Sequence, residues 1–169
     1  ITELAVVEVD EAGVRSWSTL VRPATRIPDH IRRLTGISNE MVATAPRFEE
    51  VADALFDRLE GRVFVAHNAR FDHGHIKAAF ARMGVSIAPR VLCTVRLSRR
   101  LFPHERRHGL DQLIARHGLQ VGARHRALGD AEALWQFWQR LHERFPAGQI
   151  EALAHELIGR PTLPPHLDA

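Results

Sequence analysis

Apolar residues recur along this chain in two rhythms, one of period two and one close to 3.6. Residues 1–9 are rich in Val and Leu, and residues 14–21 alternate roughly between apolar and polar positions, ending ahead of Pro23. With a turn at 10–13 between them, they predict a β-hairpin. Short helical pieces are expected over 28–34 and 38–42, around Thr35-Gly36-Ile37. Phe48, Val51, Ala52, Leu55, Phe56 and Leu59 then fall on one helical face, stopped by Gly61. The wholly apolar run Val63-Phe64-Val65-Ala66 suits a strand buried on both faces.

The remaining pattern is mostly helical. A helix is expected over 72–83, with Gly84 as its stop, then a short strand at 91–94 and a helix to Phe102. Residues 103–108 make a polar, basic loop, and 110–117 a helix ended by Gly118. Ala131, Leu134, Trp135, Trp138 and Leu141 form the stripe of a long helix over 128–144. Ile150, Leu153, Ala154, Leu157 and Ile158 form a last one. Pro161, Pro164 and Pro165 then forbid any continuation, so the end reads as a linker or an ordered tail. A hairpin followed by alternating helix and strand implies an α/β fold with a mixed sheet, an antiparallel hairpin joined to parallel strands.

A length of 169 residues fits one domain, and 45% hydrophobic with 25% charged residues fits a globular core that needs no staples. The net charge is only +3, and Lys77 is the sole lysine; every other basic residue in the Lys+Arg total is arginine. Arginine suits phosphate because its planar fork bonds two oxygens at once. Coding composition produces the same bias, so charge alone does not assign a nucleic-acid partner. With Cys93 as the only cysteine, no internal disulfide and no cysteine zinc site can be built, and a reducing, cytosolic compartment is the simplest expectation. No apolar run approaches the roughly 18 residues that cross a bilayer, and no signal peptide is visible.

Two segments could carry chemistry. His67-Asn68-Ala69-Arg70-Phe71-Asp72 follows the apolar strand 63–66 and leads into a helix. Ligands gather at the carboxyl ends of strands in open α/β sheets, although Asp72 alone would equally serve as a helix cap. His125-Arg126-Ala127-Leu128-Gly129-Asp130 precedes the long helix. A histidine can take a proton from water, and an aspartate offers hard oxygen to Mg²⁺ or Mn²⁺. A capping aspartate and a surface histidine account for this pair too, in a chain with 11 histidines.

Taken together, the two segments resemble a known family. His-Asn-x-x-Phe-Asp after a buried strand is similar to the second motif of the DEDD exonucleases, and His-x-Ala-x-x-Asp-Ala to the third motif of their DEDDh branch. Leu34-Thr35-Gly36-Ile37-Ser38, Thr94-Val95-Arg96-Leu97-Ser98-Arg99 and His108-Gly109-Leu110-Asp111-Gln112-Leu113 resemble the family's intervening regions in the right order. The resemblance runs from residue 1 to about 145. It implies an RNase H-like fold over 1–145, followed by a helix and tail over 146–169. It also implies a 3′→5′ exonuclease that releases nucleoside 5′-monophosphates from DNA ends, in proofreading or repair. Two divalent ions, Mg²⁺ or Mn²⁺, would activate a water and stabilise the leaving oxygen. By the same resemblance Asp130 would bind metal directly and Asp72 would help hold the second ion. His125 would be the general base, and His67 and Asn68 would lie near the 3′-terminal nucleotide. Phe71 is expected in the core. An RNA or oligonucleotide exonuclease of the same family, and a non-catalytic module that binds nucleic acid or a partner protein, are the alternatives.

The family's first motif, Asp-x-Glu on a central strand, has no counterpart here. Glu3, Glu8, Asp10 and Glu11 are the only acids near the start, and none has that spacing. The expectation is a further strand upstream of Ile1, or another segment in its place, because buried unpaired backbone groups cost roughly 1–3 kcal/mol each. Arg96, Arg99, Arg100, Arg106 and Arg107, with His104 and His108, could guide a phosphate backbone or simply form a solvated face. Trp17, Trp135 and Trp138 are expected to pack. The tail 161–168 resembles the linker in bacterial proteins that join a DEDDh domain to a GIY-YIG endonuclease module. A DNA polymerase is the other partner that the family implies.

Overall fold

Asp10 closes the first turn, because its carboxylate accepts the Ala12 backbone N–H at 3.0 Å and the Arg15 guanidinium. Gly13 completes the turn at φ +122, a conformation that side chains disfavour. The computed structural model describes residues 1–158; the Pro-rich stretch read as a linker lies outside them. Strands β1 (Glu3–Asp10) and β2 (Gly13–Leu20) pair antiparallel from Glu3↔Leu20 to Asp10↔Gly13. Helices α1 (Asp29–Thr35), α2 (Asn39–Val42) and α3 (Phe48–Leu59) follow. Gly36 ends α1 at φ 72, its N–H returning to the Arg32 carbonyl. The periodicity that predicted α3 is met by burial of Phe48, Ala52 and Leu55.

Strand β3 (Val63–Ala66) leads into α4 (Ala69–Arg82), and β4 (Arg90–Cys93) runs directly into α5 (Thr94–Leu101). β3 and β4 pair parallel from Val63↔Arg90 to Ala66↔Cys93. The chain ends in α6 (Leu110–His117), α7 (Ala127–Arg144) and α8 (Gln149–Ile158). The antiparallel hairpin and the parallel pair of the expected mixed sheet are both present. No ladder joins them, however: among the described residues they are two separate two-stranded sheets. They share one layer of core all the same. Leu4 and Val6 of β1 and Phe64 of β3 belong to a single apolar cluster with Ala52, Leu55, Ile76 and Phe80 of α3 and α4. A second cluster unites Leu92, Leu97, Leu113, Phe137, Leu141, Ile150 and Leu157, so α8 packs into the same core as α5–α7.

Four expectations are corrected. β3 is not buried on both faces: only Ala66 is buried, and Val65 is 42% exposed on a face that no described element covers fully. Phe71 is not core but 63% exposed. The helix begins at Ala69, a turn earlier than expected, and buries Ala69, Ile76, Ala79 and Phe80. That face turns Phe71 outward, where its ring stacks on His75 at 4.3 Å. The buried line of α7 is Gly129, Ala133, Phe137 and Leu141 rather than the tryptophan stripe. The helix is covered by α6 on one side and β1 on the other, so Trp135 and Trp138 are left half-buried. Trp17 packs under the Arg58 guanidinium at 4.8 Å, against the rim of the first cluster.

The hairpin is tied to α7 by one side chain. The Glu3 carboxylate, 10% exposed, accepts Arg126 Nη2 at 2.7 Å, Arg126 Nε at 3.1 Å and the Ala127 backbone N–H at 2.8 Å. It therefore caps α7 from a distant strand, since Arg126 itself makes no side-chain cap. Loss of Glu3 leaves a guanidinium and an amide without partners. Glu3→Ala is expected to cost about 2–3 kcal/mol, measured as a lower urea midpoint at unchanged slope. A loss below about 0.5 kcal/mol would show that water replaces the carboxylate without penalty.

Candidate active site

The two candidate segments, one leaving strand β3 and one leaving the loop after α6, enter their helices by the same backbone device. Asn68, before α4, has φ 60, and His125, before α7, has φ 61; they are the only non-glycine residues with positive φ among the described residues. Such conformations cost of order 1–3 kcal/mol and persist where the surrounding structure imposes them, most often at functional sites. Neither aspartate is a helix cap. Asn68 and Arg126 occupy the N-cap positions, and Asp72 and Asp130 each lie in the first turn beyond them.

The two aspartates are near enough for the charge of one to act on the other. Burial raises the Asp72 carboxyl above its usual range, opposed by its own backbone N–H and by His75, and the charge of Asp130 adds a smaller push upward. His67 joins them from the end of β3. The Thr94 hydroxyl donates to the Ala66 carbonyl at 3.3 Å and accepts from His67 Nδ1–H at 2.9 Å. His67 Nε2 is buried and makes no hydrogen bond within the described residues. Burial lowers the His67 pKa, helped by Arg124 and opposed by the His108 carbonyl and by Asp130, so the ring is neutral.

Arg124 was not singled out in the sequence, yet it is the centre of the charge arrangement. Its Nε donates to Asp111 at 2.7 Å, and its Nη1 makes a short ion pair with Asp130. The charge of His125 acts on Asp111, and the His125 side chain is exposed; Asn68 is exposed as well. The structure thus brings together Asp72, Asp130, His67 and Arg124, with His125 on the Asp111 side of Arg124. Gly129 allows the close approach of the 118–126 loop: a Cβ there would lie 2.4 Å from the Ala123 carbonyl oxygen.

The basic stretch divides. Arg96 donates to the Leu157 carbonyl at 3.5 Å and Arg100 pairs with Glu156 at 3.1 Å, which docks α8. His108 Nε2 donates to the Glu105 carbonyl, so its Nδ1 accepts from the buried Ser98 hydroxyl at 2.8 Å. No group of three or more histidines, cysteines, aspartates and glutamates among the described residues is arranged to hold a metal ion. Asp72 and Asp130 alone offer two carboxylates and do not make up a metal site among the described residues.

The Exonuclease family model RNase_T matches residues 1–137. The chain belongs to the DEDDh exonuclease family. It is 40% identical over 151 residues to a Mycobacterium tuberculosis protein whose name includes "bifunctional exonuclease/endonuclease protein", covering 85% of this chain and 23% of that one. It is 38% identical over 134 residues to the 3′-5′ exonuclease DinG of Bacillus subtilis, covering 78% and 14%. The chain thus spans less than a quarter of these relatives. Exonuclease X in complex with 5′ overhanging duplex DNA superimposes with a TM-score of 0.71 at 26% identity, covering 91% of this chain and 90% of that one. The nuclease domain of 3′hExo, a DEDDh member bound to rAMP, has the same fold with a TM-score of 0.65 at 14% identity. The RNase H-like fold of the family accommodates both halves of the sheet seen here.

Two outcomes follow from this DEDDh site. At a strained left-handed position glycine is favoured over alanine, so His125→Gly is expected to be more stable than His125→Ala by about 1 kcal/mol, the reverse of their usual order. Equal stabilities would show that His125 is not strained. Asp72 has a raised folded-state pKa, so it contributes stability only below its ordinary value of 3.8 and loses it as pH rises through the raised one. Asp72→Asn is therefore expected to raise the neutral-pH melting temperature, with the gain gone below that value. A fall at neutral pH would instead make Asp72 a structural carboxylate.

Proposed function

We propose that this chain is the exonuclease domain of a 3′→5′ exonuclease acting on DNA ends, in proofreading or repair, with release of nucleoside 5′-monophosphates. The observation that carries the reading is the convergence of Asp72 and Asp130, two carboxylates from distant segments whose charges act on each other in a partly buried place. Mutual repulsion between desolvated carboxylates is costly unless a cation or a proton relieves it. Mg²⁺ or Mn²⁺ suits such hard oxygen donors. Asp130 is the direct ligand and Asp72 the supporting one, and both need oxygen donors beyond the described residues.

The gap between the two sheets is where those donors enter. β1 and β3 contribute to one core cluster without pairing, and we infer that one extended segment fits between them. An Asp-x-Glu on that segment would face Asp72 and Asp130. His125 takes the proton from the attacking water, and its exposed, strained position lets it reach a substrate that arrives from solvent. His67 and Asn68 lie at the 3′-terminal nucleotide. The neutral His67 Nε2 accepts a hydrogen bond there, and the exposed Phe71 offers a face for a base. DNA is favoured because a solved relative of 26% identity was captured with 5′ overhanging duplex DNA.

The partner is a larger DNA-processing protein, either a DNA polymerase or a fused GIY-YIG endonuclease module. A PolC-type DNA polymerase III of Caldanaerobacter subterraneus, 34% identical over 155 residues, supports the first, and the mycobacterial relative's name supports the second. The location is cytoplasmic, in keeping with one free cysteine, and no described helix is long and apolar enough to cross a membrane.

The test is release of mononucleotides from labelled single-stranded DNA and RNA by the full-length polypeptide with Mn²⁺. Release from DNA is expected to drop by at least about 100-fold in Asp130→Ala and in His125→Ala. Preference for RNA would move the protein to oligonucleotide processing. Absence of release from either would leave a binding module.

A further inference from the structure

The Asp130 carboxylate that the proposed function gives to a divalent cation is already engaged by a cation of the chain itself. Arg124 reaches across from the loop between α6 and α7, with its side chain 27% exposed. Nε holds Asp111 of α6 and Nη1 holds Asp130 of α7, so one planar group bridges two helices. Asp111 is 68% exposed and lies toward solvent, whereas Asp130 is 32% exposed and close enough for its charge to act on Asp72. Arg124 therefore has an outer anchor that it can keep while it lets go of the inner carboxylate.

We propose that Arg124 is a built-in counter-cation that competes with the divalent ion for Asp130, so that ion binding and release of Arg124 are one event. Arginine stays charged at every working pH, so it cannot make way by losing a proton. A divalent ion at the same oxygen would sit a few ångströms from the guanidinium, where like charges repel strongly in a partly desolvated place. The two cations therefore exclude one another, and coupling of this kind is reciprocal: whatever strengthens the Arg124–Asp130 pair weakens the ion by the same factor. Without the ion, Arg124 neutralises Asp130 and spares Asp72 an uncompensated neighbour. With it, Arg124 swings out on Asp111, which sits beside His125.

The inference rests on the reading of Asp72 and Asp130 as cation ligands, and the test separates the two. Mn²⁺ binding to the full-length polypeptide is measured calorimetrically, and by the electron paramagnetic resonance signal of free Mn²⁺, for the unaltered protein, Arg124→Gln and Arg124→Lys. Arg124→Gln is expected to bind Mn²⁺ about tenfold more tightly, and Arg124→Lys, which keeps the charge, to stay near the unaltered value. Equal or weaker binding by Arg124→Gln overturns the competition while leaving the cation site intact. If Arg124→Gln does not fold, Arg124→Met takes its place: tighter Mn²⁺ binding than the unaltered protein supports the competition, and equal or weaker binding overturns it. No Mn²⁺ binding by any of the three, with Asp130→Ala as the reference for background, removes the cation site and this inference with it.

Discussion

A carboxylate on the first strand decides where the last motif sits. Glu3 receives two nitrogens of Arg126 and the first amide of α7, across 123 and 124 residues of sequence. The Glu3 side chain is nearly buried at 10% exposed, so its charge depends for its solvation on Arg126 and the Ala127 amide, while Arg126 keeps access to water at 35% exposed. It joins the hairpin to α7 with no sheet ladder, and it sits one residue from the strained His125. The position of Asp130, a turn further into α7, follows from it.

The same arrangement explains how a sheet in two halves holds together. Strands ordinarily solve the problem of their polar edges by pairing. Here β1 and β3 each have an edge that no described strand meets, and helices α3 and α4 hold both strands by their apolar faces instead. Arg62, just ahead of β3, adds ion pairs to Glu8 at 3.1 Å and to Asp10 at 2.9 Å at the far end of β1. Hydrophobic attachment is non-directional, so it tolerates a gap that a hydrogen-bonded ladder could not.

Charge in the site is balanced internally. Two aspartates lie within reach of each other's charge, Arg124 pairs with one of them, and His67 keeps a buried ring nitrogen without a partner. The cost of this balance is visible in the raised pKa of Asp72 and in two backbone positions held in the left-handed region. Sites arranged for binding carry such costs because their groups are placed for a ligand rather than for one another.

The residues by themselves determined the order of elements, the α3 face, the hairpin and the two motif segments, because these depend on local periodicity and turn chemistry. Asp72, Asp130, His67, Asn68 and His125 were legible as types at a strand–helix or loop–helix junction. Only the tertiary structure decided that Phe71 faces outward, that β3 is half-covered and that the tryptophans of α7 yield the core to Phe137. Those outcomes depend on which neighbour covers each face, and periodicity is silent about neighbours. The roles of Glu3, Arg124 and Asp111 were hidden for the same reason. A charged residue in a strand, a loop or a helix turn looks solvated until folding sets its counter-charge beside it, and for Glu3 that counter-charge lies more than a hundred residues away.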